Sequence, residues 1–186
     1  MAGAPEILVL CGSLRENSST HKALEVVAEA ILAGEAVVTW ADPWLGALPL
    51  FSEENAAHPA VEALKEAAGR AHGFLLGSPE YHGSCSGVLK NALDYLYLPQ
   101  TEGKVAALLA TAGGAGGASG TLITLRTVAR HLHLWTLPSQ AVVSPGDLAG
   151  AAQGEWAHPE VRERLTALGR DLVKAARLLG PWASGR

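Results

Sequence analysis

The stretch Ile7-Leu8-Val9-Leu10-Cys11-Gly12-Ser13-Leu14-Arg15-Glu16-Asn17-Ser18-Ser19-Thr20 decides the fold. Five apolar residues run without alternation and stop at a glycine. A strand with one wet face would alternate, so this one reads as buried on both faces. Helical spacing follows at Leu24, Val27, Ala28, Ile31 and Leu32, and Gly34 ends it. A doubly buried strand, a polar turn and an amphipathic helix are the opening half of a β-α-β unit.

The same alternation continues outward from that stretch. Ala36 to Trp40 is a second, β-branched strand, and the Pro-rich, aromatic segment Asp42 to Phe51 reads as loop. His58-Pro59 opens a helix with Val61, Leu64, Ala68 and Ala71 on one face, Pro being allowed in a first turn. Phe74 to Leu76 is a third strand, Ser78 to Ser86 a loop, and Gly87 to Tyr97 a helix. Lys90 and Asn91 are placed to tie that loop down. Val105 to Ala110 is the fourth strand, followed by the glycine-rich Thr111 to Gly117 and a helix from Ser119 to Leu132. Gln140 to Val143 is the fifth strand. Pro159 opens a last helix carrying Val161, Leu165, Leu168, Leu172 and Leu179. No repeat or linker interrupts the pattern. The expectation is one α/β domain over residues 1–186, with its core at about 6–180 and a parallel sheet covered on both sides. Right-handed crossovers leave the Rossmann and flavodoxin-like arrangements, and both bind ligands at the carboxyl ends of the strands.

Composition narrows the function. The chain has 186 residues, 48% hydrophobic and 17% charged, with a net charge of −4. At about 150 residues per domain that is one domain. The acidic balance argues against a phosphate-tracking nucleic-acid binder. No apolar run reaches the roughly 18 residues of a membrane span, and no basic region precedes the first apolar stretch. A cytoplasmic protein is expected. Cys11 and Cys85 are too far apart in sequence to suggest a disulfide framework or a CxxC pair.

Three loops carry candidate chemistry. In the first, Ser13, Ser18, Ser19 and Thr20 supply hydroxyls and Arg15 a guanidinium around a helix start, which suits a phosphate. A single capping hydroxyl would serve a purely structural start. GxGxxG and GxxxxGK[ST] are both absent, so a bridging pyrophosphate fits less well than a terminal phosphate. The second loop, Ser78-Pro79-Glu80-Tyr81-His82-Gly83-Ser84-Cys85-Ser86-Gly87, offers backbone groups and an aromatic wall at a strand end. A flat heterocycle could stack on Tyr81; a plain structural loop is the alternative. The third, Thr111 to Gly117, has glycines at 113, 114, 116 and 117, which let backbone approach a ligand. The histidines show no metal spacing, and no GxSxG elbow is present. His58 and His158 precede prolines at helix starts, and His131 and His133 read as a solvated face. Cys11 reads as a small buried hydrophobe. Cys85 would be reactive only at a helix N-terminus. Trp40, Trp44, Leu45, Leu48, Leu50 and Phe51 form an apolar, turn-rich patch suited to a subunit interface.

Gly12-Ser13-Leu14-Arg15-x-x-Ser18, then Ser78-Pro79-Glu80-Tyr81-His82-Gly83-Ser84 and Gly87-x-Leu89-Lys90-Asn91-Ala92-Leu93-Asp94, resemble the NADPH-dependent FMN reductase family. That family includes quinone, azo-dye and chromate reductases. The resemblance covers roughly residues 6 to 180. It implies a flavodoxin-like sandwich with five parallel strands in the order 2-1-3-4-5. It implies that Ser13, Arg15, Ser18, Ser19 and Thr20 hold the FMN phosphate. Pro79, Glu80, Tyr81, His82, Gly83 and Ser84 would border the ring, with Thr111, Gly113, Gly114, Gly116 and Gly117 at its other edge. NADPH or NADH would be the co-substrate, and a homodimer or homotetramer the assembly. Many members carry Asn where this chain has Thr20 and His82. The implied activity moves hydride from NAD(P)H through FMN to free flavin, a quinone, an azo compound or a metal oxyanion, by a ping-pong scheme. No side chain is then needed as acid or base, since the flavin carries the chemistry. A non-enzymatic flavin-binding redox sensor or interaction module is the alternative with the same loops. A Rossmann dehydrogenase is disfavoured by the missing glycine fingerprint.

Overall fold

The computed structural model describes residues 3–113, 117–151 and 155–184. The strands are β1 (Glu6–Cys11), β2 (Val37–Trp40), β3 (Gly73–Tyr81), β4 (Ser84–Cys85), β5 (Val105–Thr111) and β6 (Trp135–Val143). The helices are α1 (Ser19–Ala33), α2 (Asp42–Leu45), α3 (Pro59–Arg70), α4 (Gly87–Asp94), α5 (Leu98–Thr101), α6 (Ser119–His131) and α7 (Pro159–Ser184). The long strands are all parallel and lie in the order β2-β1-β3-β5-β6. This is a flavodoxin-like α/β sandwich.

The expected strand count needs a correction. The described residues form six strands, because Ser84–Cys85 pairs antiparallel with the end of β3. The order 2-1-3-4-5 therefore becomes β2-β1-β3-β5-β6, with β4 off the main path. The segment expected as loop from Ser78 is largely this ribbon: Glu80 faces Cys85 and Tyr81 faces Ser84. His82 and Gly83 alone make the turn, both at positive φ (53° and 82°). Two left-handed residues in a two-residue hairpin are a type I′ turn, whose twist matches that of the strands.

The uninterrupted apolar strands are explained by the two cores. Ile7, Val9 and Cys11 of β1 face α1 and α7, together with Leu75, Ala107 and Leu109. Leu8 and Leu10 face the other layer, where α3, α4 and α6 cover Phe74, Leu76, Ala106 and Leu108. A side chain buried from the period-two pleat contributes about 1.5–3 kcal/mol, so both faces must be covered. The α1 and α7 axes come close at Gly169. A Cβ there would lie 2.6 Å from the Val27 carbonyl oxygen and 2.9 Å from the Ala30 Cβ.

Several boundaries differ from the expected ones, for local reasons. The Asp42–Phe51 loop begins with the single turn α2, started by Pro43 in its first turn. Helix α4 stops at Asp94, short of Tyr97. Strand β6 starts at Trp135, well before Gln140, and passes through Pro138. Proline is tolerated because β6 is an edge strand and its register shifts there. Arg126 of α6 steadies the shift, donating to the Leu137 and Pro138 carbonyls and to Gln140 Oε1. Asn91 does not hold the 78–86 segment. It accepts from the Phe51 amide (2.8 Å) and donates to the Pro49 carbonyl (2.8 Å), while Lys90 pairs with Asp94. The tryptophan patch is mostly anchored inward: Leu45 is buried, and Trp40, Trp44 and Leu48 pack on the cores. Leu50 (83%) and Phe51 (43%) remain exposed.

Lys104 is buried just before β5. Its ammonium donates to the carbonyls of Ala68 (2.7 Å) and Gly69 (2.9 Å), which lack helical partners at the end of α3. Burial pulls its pKa from 10.5 down to about 8, with Glu6 pulling the other way. As pH rises above about 8 the native state loses this proton while the unfolded chain still holds it. Stability must then rise with pH up to the unfolded value. At 1.36 kcal/mol per pH unit the gain has a ceiling of roughly 3 kcal/mol. Unfolding in urea at pH 7.5 and pH 10 should show wild type gaining stability relative to Lys104→Met. Parallel behaviour of the two proteins would assign the pH response elsewhere.

Candidate cofactor site

The carboxyl ends of β1, β3 and β5 are neighbours in the sheet, so the three candidate loops meet at one rim. The first loop leaves β1 at Gly12. The Gly12 amide donates to the Gly77 carbonyl (2.7 Å). A Cβ on Gly12 would fall 2.6 Å from Ser86 Oγ, 3.0 Å from Leu89 Cβ and 3.1 Å from the Gly77 oxygen. Glycine is thus required where the first loop passes the base of the hairpin.

Ser13 turns the chain, its hydroxyl accepting from the Arg15 amide at 3.4 Å. Asn17 sits at φ 54°, a left-handed position that asparagine tolerates better than most residues. Ser18 is the N-cap of α1, its hydroxyl accepting from the His21 amide at 3.1 Å. The amides of Ser19 and Thr20 have no carbonyl one turn before them within the helix. No acidic residue occupies this first turn. The start of α1 therefore presents free donors and the positive end of its dipole. Arg15 stands exposed beside it, and Ser19 is half-buried. The Thr20 hydroxyl is turned inward, in a 2.7 Å hydrogen bond with Thr111 at the end of β5. This buried pair joins the first loop to the third.

Behind the loop lies a cleft of about 480 Å³ lined by Ser13, Arg15, Asn17, His21, Glu25 and Asp42, among others. The His21 ring stacks on Trp40 at 4.9 Å, with Nε2 3.3 Å from Asp42 Oδ2. Burial pushes the Asp42 carboxyl up, and His21 opposes that. Among the described residues, two buried side-chain oxygens lack a partner: Asp42 Oδ1 and Thr121 Oγ1. Both follow strands that end at this rim. A larger cleft of about 700 Å³, with Arg130, His131 and Trp135 in its wall, opens where β5 and β6 begin. It holds none of the expected site residues. His131 and His133 are exposed, as expected.

The hairpin forms the second wall. Ser78 is buried, and its hydroxyl accepts from the Ser86 amide (2.9 Å), closing the ribbon's base. Pro79 pairs with Thr111 across the sheet. Tyr81 is 51% exposed at the ribbon's tip, beside the turn residues His82 and Gly83. Asparagine is the residue most at ease at such a left-handed turn position, and histidine is also enriched there, so His82 keeps the backbone that Asn would give. Glu80 reaches away along the rim to α6: its Oε2 accepts from the Thr121 amide at 3.2 Å. The sequence reading missed this cap. The turn was readable from His82-Gly83 between short extended segments, whereas no local pattern marks a cap delivered from 41 residues away. Of the third loop, Gly113 and Gly117 face open space, since a Cβ at either would meet nothing within 4 Å; Gly117 has φ 69°. Gly114 and Gly116 lie outside the described residues.

Both cysteines are buried free thiols. Burial pushes the Cys11 thiol up to about 11 and raises that of Cys85 as well. No three His, Cys, Asp or Glu side chains among the described residues are grouped to hold a metal ion. No helix among them is long and apolar enough to cross a membrane.

A doubly wound parallel sheet, with a donor-rich helix start after β1 and two further loops on the same rim, defines a flavodoxin-like fold with its candidate ligand site at the carboxyl ends of the strands. The chain belongs to the NADPH-dependent FMN reductase family, whose pattern matches residues 5–148. It is 29% identical over 175 residues to the NADPH-dependent FMN reductase ArsH of Rhizobium meliloti, covering 91% of this chain and 71% of that one. It is 31% identical over 159 residues to the FMN-dependent NADPH-azoreductase of Staphylococcus aureus, covering 80% and 82%. Among solved structures it is similar to FerB, a flavoenzyme NAD(P)H:(acceptor) oxidoreductase from Paracoccus denitrificans. There the TM-score is 0.82 at 24% identity, over 95% of this chain and 99% of that one.

Proposed function

We propose that the protein is an FMN-dependent NAD(P)H oxidoreductase acting on small acceptors such as free flavin, quinones, azo compounds or metal oxyanions. The observation that carries this is the open start of α1, with unpartnered amides, hydroxyls and a free guanidinium, and no acidic residue in its first turn. That donor set fits a terminal phosphate dianion. Bound FMN supplies the hydride chemistry. The chain's part is to hold and orient. Ser13, Arg15, Ser18 and Ser19 bind the phosphate together with the α1 amides. Thr20 and Thr111 bond to each other, fixing the spacing between two loops of the site. Tyr81, His82 and Gly83 wall one side, and Gly113 and Gly117 allow close approach on the other. The assembly in this reading is a homodimer or homotetramer, with Leu50 and Phe51 at the contact.

The test is the visible spectrum of FMN-loaded protein under anaerobic NADPH titration. Bleaching of the flavin bands at one equivalent is expected. Bound flavin untouched by NADPH would replace the enzyme with a redox sensor. Failure to take up FMN would leave the chain with the family's fold and without its cofactor.

A further inference from the structure

Helix α6 begins without a cap of its own. Its N-cap, Ala118, has no side-chain acceptor, and its first turn contains no acidic residue. The missing acceptor comes from β3: Glu80 Oε2 takes the Thr121 amide. Two more contacts run alongside. Ser84 donates to Thr124 Oγ1 at 3.3 Å, and Thr124 in turn donates to the Gly120 carbonyl at 3.0 Å. The hairpin tip presses on the same turn, since a Cβ on Gly120 would lie 2.3 Å from the Gly83 carbonyl oxygen. The β3–β4 ribbon is thus latched to the exit of the glycine-rich loop at three points. Glu80 is the one carboxylate in that latch.

We propose that Glu80 is a positioning residue for the flavin, holding the ribbon against α6 and lowering the flavin's reduction potential through its charge. The proposal rests on the FMN reading above. A carboxylate at a helix N-terminus cancels the partial positive charge there. Without Glu80 that end would favour the electron-rich reduced flavin. With it, the site holds the flavin more reducing and better suited to passing electrons on. Glu80 acts through the helix and the ribbon, since its carboxylate is turned onto the Thr121 amide.

Two variants separate the roles. Glu80→Gln keeps an acceptor and removes the charge. Gly120→Ala keeps the charge and forces the ribbon tip off the helix. FMN affinity is measured for apo-protein, and the midpoint potential of the bound flavin by spectroelectrochemical titration. Glu80→Gln is expected to move the potential positive, tightening reduced over oxidised FMN by about threefold to tenfold, the scale of one unit charge near a protein surface. Glu80→Asp should restore the wild-type value. Gly120→Ala is expected to weaken oxidised FMN by about tenfold, the cost of one lost hydrogen-bonded contact. A purely structural Glu80 would change both redox forms equally and leave the potential fixed. An unchanged potential in Glu80→Gln, or wild-type affinity in Gly120→Ala, overturns the proposal while FMN binding by wild type stands. If wild type binds no FMN, the cofactor reading and this proposal fall together.

Discussion

Gly12→Val should destabilise the protein by about 1–3 kcal/mol and weaken FMN binding by about tenfold or more. The position leaves no room. The first added carbon would meet Ser86 Oγ at 2.6 Å, Leu89 Cβ at 3.0 Å and the Gly77 carbonyl oxygen at 3.1 Å. The serine hydroxyl could rotate away, but it already accepts from the Leu89 amide as the cap of α4. The Gly77 oxygen is backbone and accepts from the Gly12 amide. Relief therefore requires the first loop and the ribbon's base to part. That movement would open the rim as well as strain the sheet. Urea unfolding and quenching of flavin fluorescence read the two effects separately. Wild-type values in both would mean the backbone yields more easily than these contacts allow.

Arg15→Ala should raise the FMN dissociation constant by about tenfold to a hundredfold, the range of a lost charge-assisted hydrogen bond. The guanidinium is exposed next to the start of α1, and Arg15 is bonded within the loop through its backbone, its amide donating to Ser13 Oγ and its carbonyl accepting from the Ser18 amide. Its loss should leave the unfolding midpoint unchanged. The remaining affinity should depend less on salt, because one cation facing the phosphate is gone. An unchanged dissociation constant would assign phosphate binding to the helix start and its hydroxyls alone.

The framework of this fold was readable because doubly buried strands leave a plain trace. Ile7–Cys11, Phe74–Leu76 and Val105–Ala110 are continuous apolar runs, and each lies between two cores. The helix starts at Ser18 and His58 were readable because their caps are local: each side chain accepts from an amide within three residues. What stayed hidden depends on distant partners. The second strand of the ribbon is two residues long and semi-polar, so it carries no periodic signal. The first half of β6 contains Pro138, which argues against a strand unless the strand is known to lie at an edge. The clamp from Asn91 and Tyr95 onto residues 49–50 joins segments more than 40 residues apart. How much of the tryptophan patch faces inward stayed hidden for the opposite reason. A local cluster of large apolar side chains does not reveal whether it faces inward, and most of this one does.

The two-residue turn at His82-Gly83 limits how the gene can change length at this point. Side chains alternate faces along a strand, so one extra residue in the turn would exchange the faces of Ser84 and Cys85. The buried thiol would swing to the rim, and the hydroxyl that reaches Thr124 would be lost from it. A single-codon insertion or deletion here would thus be read as damage to both the core and the latch. The left-handed backbone at both turn residues adds a second filter, against β-branched replacements. Substitution on this ribbon is therefore tolerated more readily than a change in its length.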